Sequence, residues 1–294
     1  MVISNDASLR GKCKAIAKRH GVMAQEVMQV YLFERFLARL EKSEYADRFV
    51  LKGGLLISSL IGVENRTTMD MDATLQAICL DEENVSRMIS SICSIDCDDG
   101  VSFAFDRVEP IREDDDYGGL RAHIRSRFGR MDTPMKIDLT TGDVITPGAI
   151  EYPFPMMFDE GSLRVMSYPL ATCVAEKYEG LVKRGVLTTR ARDLYDMYRF
   201  VEIYGDSLDW NSVSEAIGRT AEHRGSLELM GDFSRVCDEM LASTAIRNMW
   251  ESYARSNSFA AAISLEDTLG AVRTVGEHYA HSLELENSVS IKEP

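Results

Sequence analysis

Asp70 and Asp72, one residue apart in the segment TTMDMDATL, carry the clearest chemical potential in the chain. Alternation places Met69, Met71, Ala73 and Leu75 on one side of an extended segment and Thr68, Asp70, Asp72 and Thr74 on the other. Two carboxylates on one face of a strand can hold a divalent cation, and without one their joint ionisation is disfavoured. The bland alternative for an isolated D-x-D is a solvated strand face. Asp138, in MKIDLTTGD, repeats the alternation with Lys136 on its own face and Ile137 and Leu139 on the other. If the two strands are neighbours, three carboxylates meet, as two-metal phosphoryl chemistry requires.

Gly53-Gly54 follow the apolar entry Phe49–Leu51 and open LLISSLIG, which reads as the buried first turns of a helix. Bare backbone N–H groups at a helix start can cradle a phosphate; the competing reading is a tight turn between buried segments. Further along, Leu170, Cys173, Val174, Tyr178 and Leu181 form the apolar stripe of a helix from Leu170 to Arg184, and Lys177 falls on that stripe. A cation there needs an anion such as a triphosphate, unless its stem packs and its amine reaches water. The next helix buries Leu194, Met197, Tyr198 and Val201, leaving Asp193 and Asp196 beside the stripe to orient Lys177 or Arg192, or to form surface ion pairs. Lys52, Lys136 and Arg192 are the alternative cations for such a site. His278 and His281 stand three apart with no third ligand and read as surface histidines rather than a zinc site. No G-x-S-x-G, H-E-x-x-H or Walker A motif occurs.

The elements that position these residues are an amphipathic helix over Gln25–Leu40, another over Glu82–Ile95, and paired strands in VSFAFDRVEPI and RAHIRSRF around the acidic loop REDDDYGG. Pro147, Pro153 and Pro155 predict irregular chain, with a further strand around Leu163–Met166. After Pro169 helices are expected at Arg192–Tyr204, Trp210–Glu222, Phe233–Leu241, Thr244–Ala254 and Leu265–Leu283. The expectation is an α/β (α+β) domain with a small mixed sheet and N-terminal helices over 1–165, then an α-helical domain over 166–294, with the active site in the cleft between them.

The chain has 294 residues, 45% apolar and 27% charged, an ordinary globular composition. A net charge of −14 excludes a surface that wraps nucleic acid broadly. Charge is uneven, however: residues 1–40 hold seven Lys/Arg against three Asp/Glu, and Arg121, Arg125, Arg127 and Arg130 lie in a stretch without an acid. Six scattered cysteines with no C-x-x-C read as free thiols. The N-terminus does not read as a signal peptide, and the most apolar stretch, Phe49–Val63, is too short for a bilayer helix. A cytoplasmic protein without a membrane partner is expected.

Glycine pair, helix, short loop, D-x-D strand and a later strand with a central Asp is the order found in polymerase β-like nucleotidyltransferases. LKGG at Leu51–Gly54, R-x-x-x-D-x-D at Arg66–Asp72 and RARDLYDMYRF at Arg190–Phe200 resemble the AbiEii/AbiGii toxin family, nucleotidyltransferase toxins of type IV toxin–antitoxin and abortive-infection systems. The resemblance spans about Val50–Phe200; beyond that only helical character matches. It implies transfer of a nucleoside monophosphate from a nucleoside triphosphate (NTP) to an acceptor hydroxyl, with a transfer-RNA end or another RNA as acceptor and a cognate antitoxin as partner. It implies Mg²⁺ or Mn²⁺ on Asp70, Asp72 and Asp138, and nucleotide contacts from Lys52, Gly53, Gly54, Arg66, Lys177, Arg192 and Asp193. Asp70, Asp72, Asp138 and Lys177 are the expected catalytic set, and Arg121, Arg125 and Arg127 would meet the phosphates of an RNA acceptor. Two positions depart from the pattern: the wider superfamily has Gly-Ser at the glycine pair, and the family commonly has Lys where this chain has Arg192. The rival reading is a degenerate member that binds a nucleotide or a protein without turnover.

Overall fold

The computed structural model describes residue 3, residues 5–111 and residues 118–290, so residues 112–117 of the expected acidic loop lie outside the described residues. The chain divides into two compact units, one of Met1–Asp143 with Ala149–Tyr168, the other of Val144–Gly148 with Pro169–Pro294.

The first unit opens with α1 (Asp6–His20), whose N-terminal N–H of Ser8 is capped by the Asn5 side chain, and α2 (Ala24–Glu41). Then come β1 (Phe49–Lys52), α3 (Gly53–Ile61), β2 (Met71–Leu75), α4 (Glu82–Ser94), β3 (Val101–Ile111), β4 (Gly119–Phe128), β5 (Met131–Thr140), β6 (Ile150–Pro155) and β7 (Ser162–Ser167). The seven strands form one sheet in the order β3-β4-β5-β2-β1-β7-β6, with β2/β5 and β1/β7 parallel and the other pairs antiparallel. Alternation is visible in burial along β4, where Ala122, Ile124, Ser126 and Phe128 are buried and Arg125 and Arg127 exposed. The apolar face lies against α2 and α4, with Phe36 of α2 packed between Phe49 and Phe103 at ring distances of 6.4 and 5.9 Å.

The Pro-rich passage differs from expectation. Residues 150–155 form β6 despite Pro153 and Pro155, because β6 is the outermost strand and pairs only with β7, so the missing donors cost no ladder bonds.

The second unit contains α5 (Leu170–Arg184), α6 (Ala191–Tyr204), α7 (Trp210–His223), α8 (Phe233–Ala242), α9 (Thr244–Ser256) and α10 (Leu265–Ser290). Its core holds fully buried Tyr178, whose hydroxyl donates to the Met230 carbonyl at 2.8 Å, and Tyr195 beside Phe259. The Val144–Gly148 segment is stapled to α5 by Thr172, whose hydroxyl accepts from the Thr146 N–H and donates to the Thr146 carbonyl. The ring of His278 stacks on Trp210 at 3.9 Å. All six cysteines are free thiols, and among the described residues no helix is long and apolar enough to cross a membrane.

Candidate active site

The parallel pairing of β2 and β5 puts Asp72 directly beside Asp138, and the antiparallel pairing of β1 and β2 puts Lys52 beside Asp72 on its other flank. Side chains in register on adjacent strands share a face, so one row reads Lys52, Asp72, Asp138 and Arg121 across β1, β2, β5 and β4. Thr74 and Thr140 follow in the next row. The Asp72 carboxyl is pushed up from the usual carboxylate range, first by burial and then by the Asp138 charge, with Asp70 adding to it.

Asp70 departs from its expected place. It lies one residue ahead of β2 and is exposed, as is Met69, which the alternation assigned to the core. The ladders explain this: pairing to β5 starts at Met71 and to β1 at Asp72, so nothing imposes the strand alternation earlier. Asp70 is instead anchored by Thr68, whose hydroxyl accepts from the Asp70 N–H at 3.3 Å.

The glycine pair and Asp72 are one structural feature. Gly53 opens α3 at φ +61°, and a Cβ built there would strike Asp72 Oδ2 and lie 2.7 and 2.8 Å from its Cγ and Cβ. The Gly54 N–H donates to Asp72 Oδ2 at 3.3 Å, and α3 has no other side-chain cap. A Cβ on Gly54 would meet Thr68 Oγ1 at 2.7 Å and Arg66 Nη1 at 3.0 Å. Arg66 is buried and donates from Nη1 to the Gly54 carbonyl at 2.7 Å, clamping the turn from beneath. The Arg66 carbonyl in turn accepts from Ser58 of α3.

A neighbouring polar cluster escaped the sequence reading. Lys52 Nζ donates to Thr140 Oγ1 and to Asp143 Oδ2, both at 2.7 Å, while Asp143 also accepts from Thr140 and Thr74. The Thr74 hydroxyl meets the Tyr168 hydroxyl at 3.1 Å. Burial alone would raise the Asp143 carboxyl, but the Lys52 charge and the converging donors hold it below its ordinary value. The only sequence signal for Asp143 was its turn, Thr141-Gly142-Asp143, which says nothing of its partners.

Arg121, expected to face an acceptor, points instead at the carboxylates. Its Nε donates to Asp138 Oδ1 and its Nη2 to Asp138 Oδ2, both at 2.7 Å. Arg125 and Arg127, 45% and 64% exposed, share Asp132 on β5. An all-oxygen set of carboxylates has the donor chemistry that Mg²⁺ or Mn²⁺ takes. Asp70 and Asp72 suit that role, whereas Asp138 gives both oxygens to Arg121, and among the described residues no three His, Cys, Asp or Glu side chains converge on one ion position.

In the helical unit, Lys177 of α5 pairs with Asp193 Oδ1 at 2.5 Å and with Asp196 Oδ2 at 2.9 Å. Asp196 is fully buried, not beside the stripe: the buried face of α6 is Leu194, Tyr195, Asp196, Met197 and Phe200, with Tyr198 and Val201 only partly covered. Arg192 is exposed in the first turn of α6.

The chain superposes on JHP933 from Helicobacter pylori at 16% identity and a TM-score of 0.51, over 90% of this chain and 98% of that one, which shows the fold. A second Helicobacter pylori structure aligns at 15% identity and a TM-score of 0.49, over 90% of this chain and 99% of that one. An antigenic nucleotidyltransferase-like protein from Paracoccidioides brasiliensis aligns at 13% identity and 0.37, over 71% and 91%. No curated protein matches the sequence. The family model described as nucleotidyl transferase AbiEii toxin, type IV toxin–antitoxin system, matches residues 35–271, which takes in the glycine turn, Asp70, Asp72, Asp138 and the Lys177 cluster. The chain therefore belongs to the AbiEii nucleotidyl transferase toxin family.

Proposed function

We propose that this nucleotidyltransferase moves a nucleoside monophosphate from an NTP to an acceptor hydroxyl, with Asp70, Asp72 and Asp138 as the carboxylates for Mg²⁺ or Mn²⁺. The observation that carries the reading is Asp72 packed under the Gly53-Gly54 turn and in register with Asp138. A divalent cation bound there would neutralise the triphosphate and polarise the phosphorus under attack.

The remaining roles fall to the chain itself. The start of α3 is the cradle for the phosphates: its Gly54 N–H, which donates to Asp72 Oδ2 in the free protein, would turn to them, with Arg66 holding the Gly54 carbonyl. Lys52 lowers the cost of ionising Asp72, opposing its burial. In the helical unit, Lys177 is the cation that the family resemblance assigns to the phosphates, and Asp193 and Asp196 hold its amine in place. Arg192 and Asp193 complete the nucleotide contacts.

The acceptor is an RNA, such as a transfer-RNA end, and the cytoplasm is where it and NTPs meet. Exposed Arg10, Lys14 and Lys18, four residues apart along α1, and Arg125 and Arg127 on β4 supply local positive surface on an acidic protein. A cognate antitoxin is the expected protein partner.

The test is to incubate the full chain with each α-labelled NTP and a mixture of total RNA and protein, with Asp72→Asn as control. Label entering RNA, dependent on Mg²⁺ or Mn²⁺ and on Asp72, supports the reading. An NTP that raises the melting temperature with Mg²⁺ but never yields pyrophosphate refutes transfer in favour of binding alone.

A further inference from the structure

We propose that Arg121 is a built-in competitor for the third carboxylate: its guanidinium closes Asp138, and a divalent cation must take Asp138 from it. The inference rests on the reading of Asp70, Asp72 and Asp138 as the metal-holding set.

Asp138 stands in mid-sheet between two opposites, with Asp72 in register on β2 and Arg121 in register on β4. The fork of Arg121 meets both Asp138 oxygens at 2.7 Å, which saturates the carboxylate along its two best directions. One guanidinium thus pairs face to face with one carboxylate of the proposed set. It does the electrostatic work of a cation at that spot.

The pair is also arranged to open. The Arg121 side chain is 30% exposed on a long flexible stem, whereas Asp138 is 17% exposed on a short one, fixed by a central strand. Glu109, in register with Arg121 on β3, already takes His123 at 2.8 Å and Arg107 at 3.4 Å, so a guanidinium that lets go of Asp138 is released to solvent. Exchange therefore moves the arginine and not the ligand.

A supporting role predicts the opposite result. Residues that orient a metal ligand from behind strengthen binding, and their loss typically weakens it by about 10–100-fold. A competitor strengthens binding when it is lost.

The experiment is a Mn²⁺ titration of the full-length protein without nucleotide, following loss of the free-ion electron paramagnetic resonance signal, for wild type, Arg121→Gln, Arg121→Lys and Asp72→Asn. Arg121→Gln should bind Mn²⁺ about tenfold tighter, equivalent to about 1.4 kcal/mol. Arg121→Lys should fall between, because one ammonium cannot close both oxygens. Asp72→Asn should lose binding. Melting temperatures with EDTA and with Mn²⁺ give a second reading: the Mn²⁺-induced rise should be larger for Arg121→Gln than for wild type. Should Arg121→Gln fold poorly, the ordering of Arg121→Lys against wild type decides. Binding equal to or weaker than wild type in the Arg121 variants, with Asp72 still required, overturns the competitor and leaves the metal site standing. If no variant binds Mn²⁺ in an Asp72-dependent way, the metal-site reading fails and the competitor falls with it.

Discussion

Replacing Gly53 by Ala tests whether the glycine turn exists for the sake of Asp72. At φ +61° a residue with a Cβ costs about 1–2 kcal/mol in backbone conformation alone. The Cβ would also overlap the Asp72 carboxyl, with Cγ at 2.7 Å and Cβ at 2.8 Å, so the carboxyl or the start of α3 must shift. Forced displacement of a packed group adds about 1–3 kcal/mol, giving about 2–5 kcal/mol in total. Gly142→Ala isolates the backbone contribution, because Gly142 lies at φ +82° with nothing within 4 Å of a built Cβ. Urea unfolding with EDTA should show Gly53→Ala losing more stability than Gly142→Ala. In a double-mutant cycle, Asp72→Ala should recover about 1–3 kcal/mol of the Gly53→Ala loss. Asp72-dependent Mn²⁺ binding should weaken in Gly53→Ala and persist in Gly142→Ala. Equal destabilisation of the two glycine variants, with Mn²⁺ binding intact in both, would show that Asp72 does not need Gly53 and would remove the main support for the site.

Two carboxylates should respond to pH with opposite signs in metal-free buffer. Asp72 has a raised folded value, so the stability it contributes is complete below its ordinary 3.8 and is lost as pH rises through the raised value. Asp72→Asn should therefore be more stable than wild type at pH 7, with the gain vanishing in acid. Asp143 has a lowered value, so its contribution is present above 3.8 and lost as pH falls through the lowered one. Asp143→Asn should cost about 1–3 kcal/mol at pH 7 and nearly nothing in strong acid, both read from denaturant melts across pH. Lys177→Met leaves fully buried Asp196 without its ammonium and should cost about 3–5 kcal/mol, partly restored by Asp196→Asn, and should cut turnover about a hundredfold. If α1 contacts RNA, converting Arg10, Lys14 and Lys18 to Gln should flatten the salt dependence of binding to single-stranded RNA by about two in log–log slope; an unchanged slope would assign that face to solvent.

Local chemistry was legible in the sequence because alternation and helical spacing are properties of a few consecutive residues. The faces of β5, and of β2 from Met71 onward, follow from such spacing and occur as read, whereas Met69 and Asp70 fall outside the ladder that would impose it. Residues 150–155 were misread because proline excludes a central strand but not an edge, and which strand is the edge depends on the whole sheet order. Asp196 was misplaced for a related reason. Helical spacing left it beside the stripe, and only the arrival of Lys177 from another helix gives a buried carboxylate its partner.

The sequence by itself therefore determined which residues could do chemistry here: the D-x-D, the lone strand Asp, the glycine pair and a lysine on an apolar stripe. Tertiary structure alone decided what each of them touches. Thr74 and Thr140 meet across 66 residues, Lys52 and Thr140 across 88, and Asp138 finds Asp72 on one side and Arg121 on the other. Strand register is set by the summed pairing and burial of whole strands, so no short pattern states which side chain will stand opposite which.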